Sequence, residues 1–134
     1  MNGRYLIGLI SLFLLASCAN PKQNKTDSID KQIMDTHDEV MPRMGEVLRL
    51  RKQIQAKLDS CQTPACTDTL NQLSYALTKA DADMMKWMHA YKKPEASDTT
   101  LTYLEGQLKE IERVKTQILE GIAQATSYLN VHEN

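Results

Sequence analysis

The sequence contains few residues that break a helix. Among its 134 residues are only five glycines and four prolines, and aromatic residues make up 5%. Long periodic segments with so few breakers favour an all-helical domain. The length suggests one domain. With 25% charged and 42% hydrophobic residues, the composition is that of a globular chain rather than a disordered one.

An excess of charge and a catalytic grouping are also lacking. The formal net charge is −1 and no basic stripe is interleaved with aromatic residues, so nucleic acid is not an expected partner. No CxxCH motif occurs, which excludes covalently attached haem. No serine, histidine and acidic residue are spaced as nucleophile, base and orienting group. The sequence therefore does not predict an enzyme.

Residues 1–17 have the features of a secretory signal. Arg4 precedes an apolar run over 6–15 that is too short to span a membrane, and small residues follow it. Residues 15–18, Leu-Ala-Ser-Cys, resemble a bacterial lipobox. The resemblance implies that Cys18 receives a diacylglyceryl thioether and becomes the acylated mature N-terminus. Stable anchoring needs more than one lipid chain, and a multiply acylated cysteine meets that condition. An ordinary cleaved signal with an incidental cysteine is the alternative.

The acylated cysteine and the residues after it, 18–28, are predicted to form a flexible tether. Residues 19–28 are polar and show no helical or strand periodicity. Ala19 rather than an acidic residue follows Cys18, which disfavours retention at the inner membrane. We therefore expect a cell-envelope protein that is lipid-anchored in the outer membrane and faces the periplasm.

The remainder, 29–134, is predicted to be an up-down-up antiparallel three-helix bundle with coiled-coil-like packing. Apolar residues recur at alternating steps of three and four residues over about 29–60, 64–93 and 98–130. The connections between these segments are short, which makes consecutive helices antiparallel. Such a shape serves many purposes, so the fold alone does not indicate a function.

The apolar seams are continuous apart from a few polar positions. The first seam consists of Ile33, His37, Val40, Met44, Val47, Arg51, Ile54 and Leu58. The third consists of Leu101, Leu104, Leu108, Ile111, Lys115, Ile118, Ile122, Ala125 and Leu129. Pro42 interrupts the first helix, because proline removes one hydrogen bond and clashes with the preceding turn. Either the helix is kinked there or it begins there, and the unbroken seam favours the kink.

Cys61 and Cys66 flank a break in the periodicity. Thr63 and Pro64 have the pattern of an N-cap and a first helical residue, so a second helix begins there. In an oxidising compartment we expect a disulfide between the two cysteines, which would stabilise the fold by about 2 kcal/mol. A redox pair or half of a metal site are the alternatives, and neither a CxxC spacing nor a neighbouring histidine supports them.

Methionine and histidine residues are predicted to gather at the end of the bundle away from these cysteines. The candidate metal ligands are His37, Met41, Met44, Met84, Met88 and His89. Thioether sulfur suits Cu(I) and imidazole suits either oxidation state of copper, so one hypothesis is a copper site. The other is that methionine fills irregular core gaps near the kink and that His37 is a core histidine with a polar partner.

Three segments resemble a known family. They are the runs HDEVMPRMGE at 37–46, DMMKWM at 83–88 and KEIERVK at 109–115. Together with the lipobox, they are similar to small lipoproteins of Bacteroidetes-type bacteria that often carry the automatic label "viral A-type inclusion protein". The label reflects likeness to coiled coils and implies no viral role. The resemblance implies no established activity, so it supplies no catalytic residues, and the cysteine pair is not a feature of that family.

Two functions from different classes follow from these observations. The first is a lipid-anchored periplasmic lipoprotein with a helical bundle, which acts without catalysis as an interaction or structural protein of the envelope. Its expected partners are the membrane, through the lipid on Cys18, and an unidentified envelope protein. The alternative is a lipoprotein that binds or buffers copper through the histidine and methionine cluster; otherwise no cofactor is expected.

Overall fold

The structure is a computed structural model that describes residues 21–95, 97 and 99–132. Every regular element in these ranges is helical: α1 (Pro21–Val40), a 3-10 turn (Met41–Arg43), α2 (Met44–Leu58), α3 (Pro64–Ala90) and α4 (Thr100–Val131). Helix α1, the 3-10 turn and α2 follow one another directly and form the first of three packed rods. The predicted all-α three-helix bundle is therefore confirmed. The predicted signal and the acylation site Cys18 lie outside the described residues.

Pro42 sits inside the first rod rather than at its start. The backbone stays in the right-handed helical region on both sides, with φ −94° and ψ −24° at Val40 and φ −75° and ψ −15° at Arg43. Across the proline, the Met44 N–H donates to the Met41 carbonyl, which is the tighter hydrogen bonding of a 3-10 turn. The rod therefore absorbs the proline in one local change of helix type and continues.

The predicted tether is wrong from residue 21 onward, because α1 begins at Pro21 instead of near residue 29. Proline favours the first position of a helix, where no backbone N–H is needed. Tertiary contacts then hold the polar turns that follow: Thr26 is buried, and Lys25 forms an ion pair with Glu105 of α4 at 3.1 Å. Only residues 19 and 20 separate Cys18 from the start of the helix.

Apart from the start of α3, the other helix boundaries differ from the predicted ones by one to three residues. Helix α3 ends at Ala90 rather than 93, because the backbone turns extended at Tyr91 (ψ 127°) and the Lys92 N–H donates to the Tyr103 hydroxyl. Helix α3 begins as predicted, with the Thr63 hydroxyl accepting a hydrogen bond from the Cys66 N–H at 3.3 Å. That bond satisfies one of the backbone donors at the helix start.

The core follows the predicted seams along all three rods. Its fully buried members include Ile33, Val40, Val47, Leu50, Ile54, Leu70, Leu77, Met84, Leu104, Ile111, Val114 and Ile118. Helix α1 packs mainly on α4, whereas α2 packs on both α3 and α4. Among the described helices, none is apolar over a long enough stretch to cross a bilayer.

Candidate functional site

The two ends of the bundle are closed in different ways. At the stapled end, where α2 ends and α3 begins, Cys61 and Cys66 are bonded with their Cα atoms 6.1 Å apart. Both cysteines pack against the core, and the Lys57 ammonium donates to the His132 carbonyl, which ties the end of α2 to the end of α4. The predicted pairing of the two cysteines agrees with this geometry. At the open end, where α1 begins, α3 ends and α4 begins, the closure is polar.

A cavity of about 370 Å³ lies at the open end. That volume is within the range of small-molecule sites in proteins. Ten residues from α1, the α3–α4 loop and α4 line it: Lys22, Gln23, Thr26, Asp27, Asp30, Lys93, Pro94, Ser97, Thr100 and Leu104. The lining therefore combines two ammonium groups with two carboxylates, and its other side chains are mostly neutral and polar.

Asp30 is the most constrained charge in the cavity. Its side chain is only 16% exposed, and its carboxylate accepts a hydrogen bond from Lys93 at 2.8 Å and another from the Tyr91 hydroxyl. Burial alone would raise the pKa of Asp30, but the bonds from Lys93 and Tyr91 outweigh it and hold that pKa below its ordinary value. Asp30 is therefore an anion at neutral pH.

The partners of Asp30 keep their ordinary protonation states at neutral pH. Burial, together with the hydrogen bond to Asp30, raises the pKa of Tyr91, so its phenol stays neutral. The same carboxylate raises the pKa of Lys93 through its hydrogen bond, which keeps the ammonium charged. The three groups form a fixed charge arrangement suited to binding rather than to proton transfer near neutral pH.

Hydrogen bonds from Thr100 shape the loop wall of the cavity. This side chain is buried at the first position of α4, and its hydroxyl donates to the Glu95 carbonyl at 2.8 Å. It also accepts the Ser97 N–H at 2.9 Å and lies 3.0 Å from the Ser97 hydroxyl. The loop therefore returns to the start of α4 in a defined conformation and places Ser97 at the cavity.

A row of rings connects the three rods next to the cavity. The His37 ring is 5.8 Å from that of Trp87, Trp87 is 5.1 Å from Tyr91, and Tyr91 is 6.5 Å from Tyr103. Aromatic pairs at such separations stabilise a core beyond the area they bury. Tyr91 lies within the row, and its hydroxyl reaches Asp30 in the cavity. Aromatic packing thus supports the position of the buried carboxylate.

Two buried polar atoms accompany this row. The Trp87 indole nitrogen and the Gln107 amide oxygen have no hydrogen-bond partner among the described residues. Buried polar atoms without a protein partner are uncommon and are typically bound by ordered water molecules.

The predicted copper ligands lie in different environments. Met84 is fully buried, Met41 and Met44 are half-buried against the core, and Met88 and His89 are exposed. His37 is half-buried, with its Nδ1 2.9 Å from a carboxylate oxygen of the neighbouring Asp38. Within the described ranges, no three residues of the types His, Cys, Asp and Glu converge on a possible metal position. Copper binding through the thioethers stays a prediction.

Sequence reasoning missed the cavity because the tether prediction covered four of its ten lining residues. A signal was present: stepping back from Ile33 by four and then three residues leads to Ile29 and Thr26, which are both buried. This extends the apolar seam toward residue 21, although lysines, glutamines and asparagine around it suggest a solvated linker. The positions of Ser97 and Thr100 depend on hydrogen bonds within the loop, which the spacing of apolar residues does not predict.

Comparison with known proteins finds no matching family model, no similar curated protein and no similar solved structure for this chain. The resemblance to the small Bacteroidetes-type lipoproteins therefore stays a prediction.

Proposed function

We propose that this chain is a lipid-anchored lipoprotein of the bacterial cell envelope, held at the periplasmic face of the outer membrane, which acts without catalysis by binding another envelope component. The strongest support is the position of Cys18 at the end of a lipobox-like motif, two residues before the helical bundle begins. The acyl chains would then fix a rigid bundle to the bilayer instead of a bundle on a long linker.

Covalent geometry limits how far the bundle stands from its lipid. Three residue steps separate Cys18 from Pro21, and an extended chain covers at most about 3.6 Å per step, or about 11 Å in total. An acylated Cys18 would therefore hold the open end at the depth of the lipid headgroups. The stapled end would lie about 48 Å away, the length of the 32 residues of α4.

The far end offers a surface for the second component. A groove of about 670 Å³ runs between the start of α3 and the end of α4, and its apolar lining includes Leu73, Tyr128 and Val131. Val131 is 71% exposed. Exposed apolar surface of this kind is typical of protein contacts. Its distance from the anchored end leaves it accessible to a periplasmic partner.

The anchor is tested with the full-length chain expressed in a bacterial envelope. We expect the wild-type protein to enter the detergent phase and to show an acylated N-terminal cysteine by mass spectrometry. A Cys18→Ser variant should be soluble or remain unprocessed. A double variant, Cys61→Ser with Cys66→Ser, is the matched control and should be acylated normally. Equal membrane partitioning of the Cys18→Ser and wild-type proteins would refute the anchor.

The partner surface is tested by crosslinking in intact envelopes. A photoreactive side chain at Val131 should capture one defined envelope protein. The same side chain at the exposed Lys52 of α2 is the control and should not capture that protein. Equal capture from both positions would contradict a docking role for the groove.

A further inference from the structure

The charge pattern of the cavity at the open end is that of a site for a zwitterion. Lys22 and Lys93 bring two positive charges to its lining, and Asp27 and Asp30 bring two negative ones. The carboxylates would repel a ligand that carries only negative charge, and the ammonium groups would repel a metal cation. A molecule with one ammonium and one phosphate complements both pairs, and a cavity of about 370 Å³ has room for it.

The carboxylates favour a primary ammonium. Asp27 and Asp30 lie three residues apart on α1, so they are neighbours on one helix face. Asp27 accepts the Gln23 amide at 3.0 Å through one oxygen, and a carboxylate has about four acceptor positions in all. A primary ammonium supplies three donors for such oxygens. A quaternary ammonium needs aromatic faces instead, and none of the described residues lining the cavity is aromatic.

The lysines favour a phosphate next to the carboxylates, because Lys22 lies on the same helix as Asp27 and Asp30 and Lys93 contacts Asp30. The Lys93 ammonium is held 2.8 Å from Asp30, which positions it at the cavity while leaving its other donors for a ligand. The Ser97 hydroxyl lies at the same wall, but its hydrogen is directed to Thr100, whose own hydroxyl donates to the Glu95 carbonyl. The phosphate donors are therefore the ammonium groups, which are common ligands of phosphate oxygens.

We infer that this cavity binds the phosphoethanolamine headgroup of a membrane phospholipid. The assignment of this phosphoethanolamine group to a membrane lipid rests on the proposed function, because an acylated Cys18 would place the open end at the headgroup layer. The carboxylates of α1 receive the ammonium, and Lys22 and Lys93 receive the phosphate. A bound headgroup would give the bundle a second attachment, which fixes its orientation on the bilayer.

The headgroup site is tested on the mature chain, residues 18–134, carrying Cys18→Ser, which contains every described helix and lacks the lipid. Calorimetry with glycerophosphoethanolamine should show binding that is about tenfold tighter than that of glycerophosphocholine or inorganic phosphate. Asp27→Asn should lower the affinity for glycerophosphoethanolamine about tenfold. Asp27 is exposed, so this change spares the core. Asp59→Asn at the stapled end is the matched control and should leave the affinity unchanged.

Vesicles distinguish a lipid from a free headgroup. The same non-acylated chain should bind vesicles containing phosphatidylethanolamine more tightly than vesicles of pure phosphatidylcholine, and Asp27→Asn should remove the difference. Binding of the soluble ester without any vesicle preference would overturn the assignment to a lipid. Equal affinity for the choline ester or for phosphate would overturn the zwitterion site, as would no binding. None of these results depends on acylation, so the anchor is judged separately by the Cys18→Ser variant in cells.

Discussion

The stapled end and the open end of this bundle stabilise the same three-rod fold by different interactions. Near the stapled end a short loop carries the disulfide, and the adjoining core is aliphatic, with Ile54 and Leu70 fully buried. Near the open end the loop after α3 is longer and polar. The adjoining core contains Met84 and a row of rings, and a carboxylate is held close to the surface.

This difference separates stability from binding within one small domain. Aliphatic side chains fill space without polar atoms that require partners, so they give stability with little chemical specificity. The open end instead keeps charged groups around a cavity, an arrangement that costs desolvation and is useful when a ligand completes it. We therefore expect substitutions at the stapled end to affect mainly unfolding, and substitutions at the open end to affect mainly binding.

Leu77→Ala should produce the largest loss of stability. Leu77 is fully buried at the middle of α3, and removing its side chain should lower the free energy of unfolding by about 2–5 kcal/mol. Met84→Leu, at an equally buried position nearer the open end, conserves volume and should cost less than about 1.5 kcal/mol. Urea unfolding followed by circular dichroism measures both. Equal losses would remove the distinction between a rigidly packed half and an adaptable one.

Removal of the disulfide should have the next largest effect. Cys61→Ser with Cys66→Ser should lower the free energy of unfolding by about 2 kcal/mol, because the unfolded chain regains the freedom of the closed loop. Urea unfolding of the wild type under reducing conditions should match that of the variant. Ligand binding at the open end should not change. A loss of headgroup affinity in this variant would show that the two ends are coupled.

The spacing of apolar residues predicts most of the core but misses three buried residues, Ile29, Leu50 and Val114. Leu50 lies outside the first predicted seam yet is buried, because α2 packs on both α3 and α4 and needs a wider apolar stripe. Val114 is buried in place of Lys115, since a helix of 3.6 residues per turn drifts away from a strict seven-residue repeat. Lys115 instead forms an ion pair with Glu39 at 2.5 Å.

The candidate site was largely beyond prediction from the sequence. Its charges come from α1 and from the loop after α3, and their approach depends on where α1 begins. Lys22 and Asp27 belong to a segment whose polarity suggests a linker, and only packing of Thr26 and Ile29 makes it helical. Periodicity reports which residues face a core. It does not report which polar residues at a rod's end share a cavity.

Tyr91→Phe should have a smaller effect that depends on pH. The substitution removes a hydrogen bond to the Asp30 carboxylate and should lower the free energy of unfolding by about 1–2 kcal/mol at neutral pH. The folded state holds the pKa of Asp30 below its ordinary value of 3.8. The stabilisation by the Tyr91–Asp30 hydrogen bond is therefore fully present above pH 3.8, and it is lost as the pH falls through the pKa of Asp30 in the folded state. The difference in the free energy of unfolding between wild type and variant should therefore decrease below about pH 4.

Tyr75→Phe is the control for that prediction. Tyr75 is 69% exposed, so loss of its hydroxyl should leave unfolding unchanged at every pH. The pKa of Tyr91 is raised, so above about pH 10 the unfolded phenol ionises first and wild-type stability should fall. A gap between wild type and Tyr91→Phe that is constant between pH 7 and acid would contradict the assigned role of the Asp30 bond.

Glycine substitutions should give the smallest effects and compare an exposed with a buried position of α4. A Cβ on Gly106, toward the open end, meets nothing within 4 Å, so Gly106→Ala should raise the free energy of unfolding by about 0.5–1 kcal/mol through helix propensity. A Cβ on Gly121 would lie 3.3 Å from Leu77 Cδ2, and this crowding should offset the gain of Gly121→Ala. In a Leu77→Ala background the crowding is absent, so Gly121→Ala should recover the gain. Thermal unfolding of the single and double variants measures the difference, and an equal gain at both glycines in the wild-type background would mean that the Leu77 side chain yields to a Cβ on Gly121 at no cost.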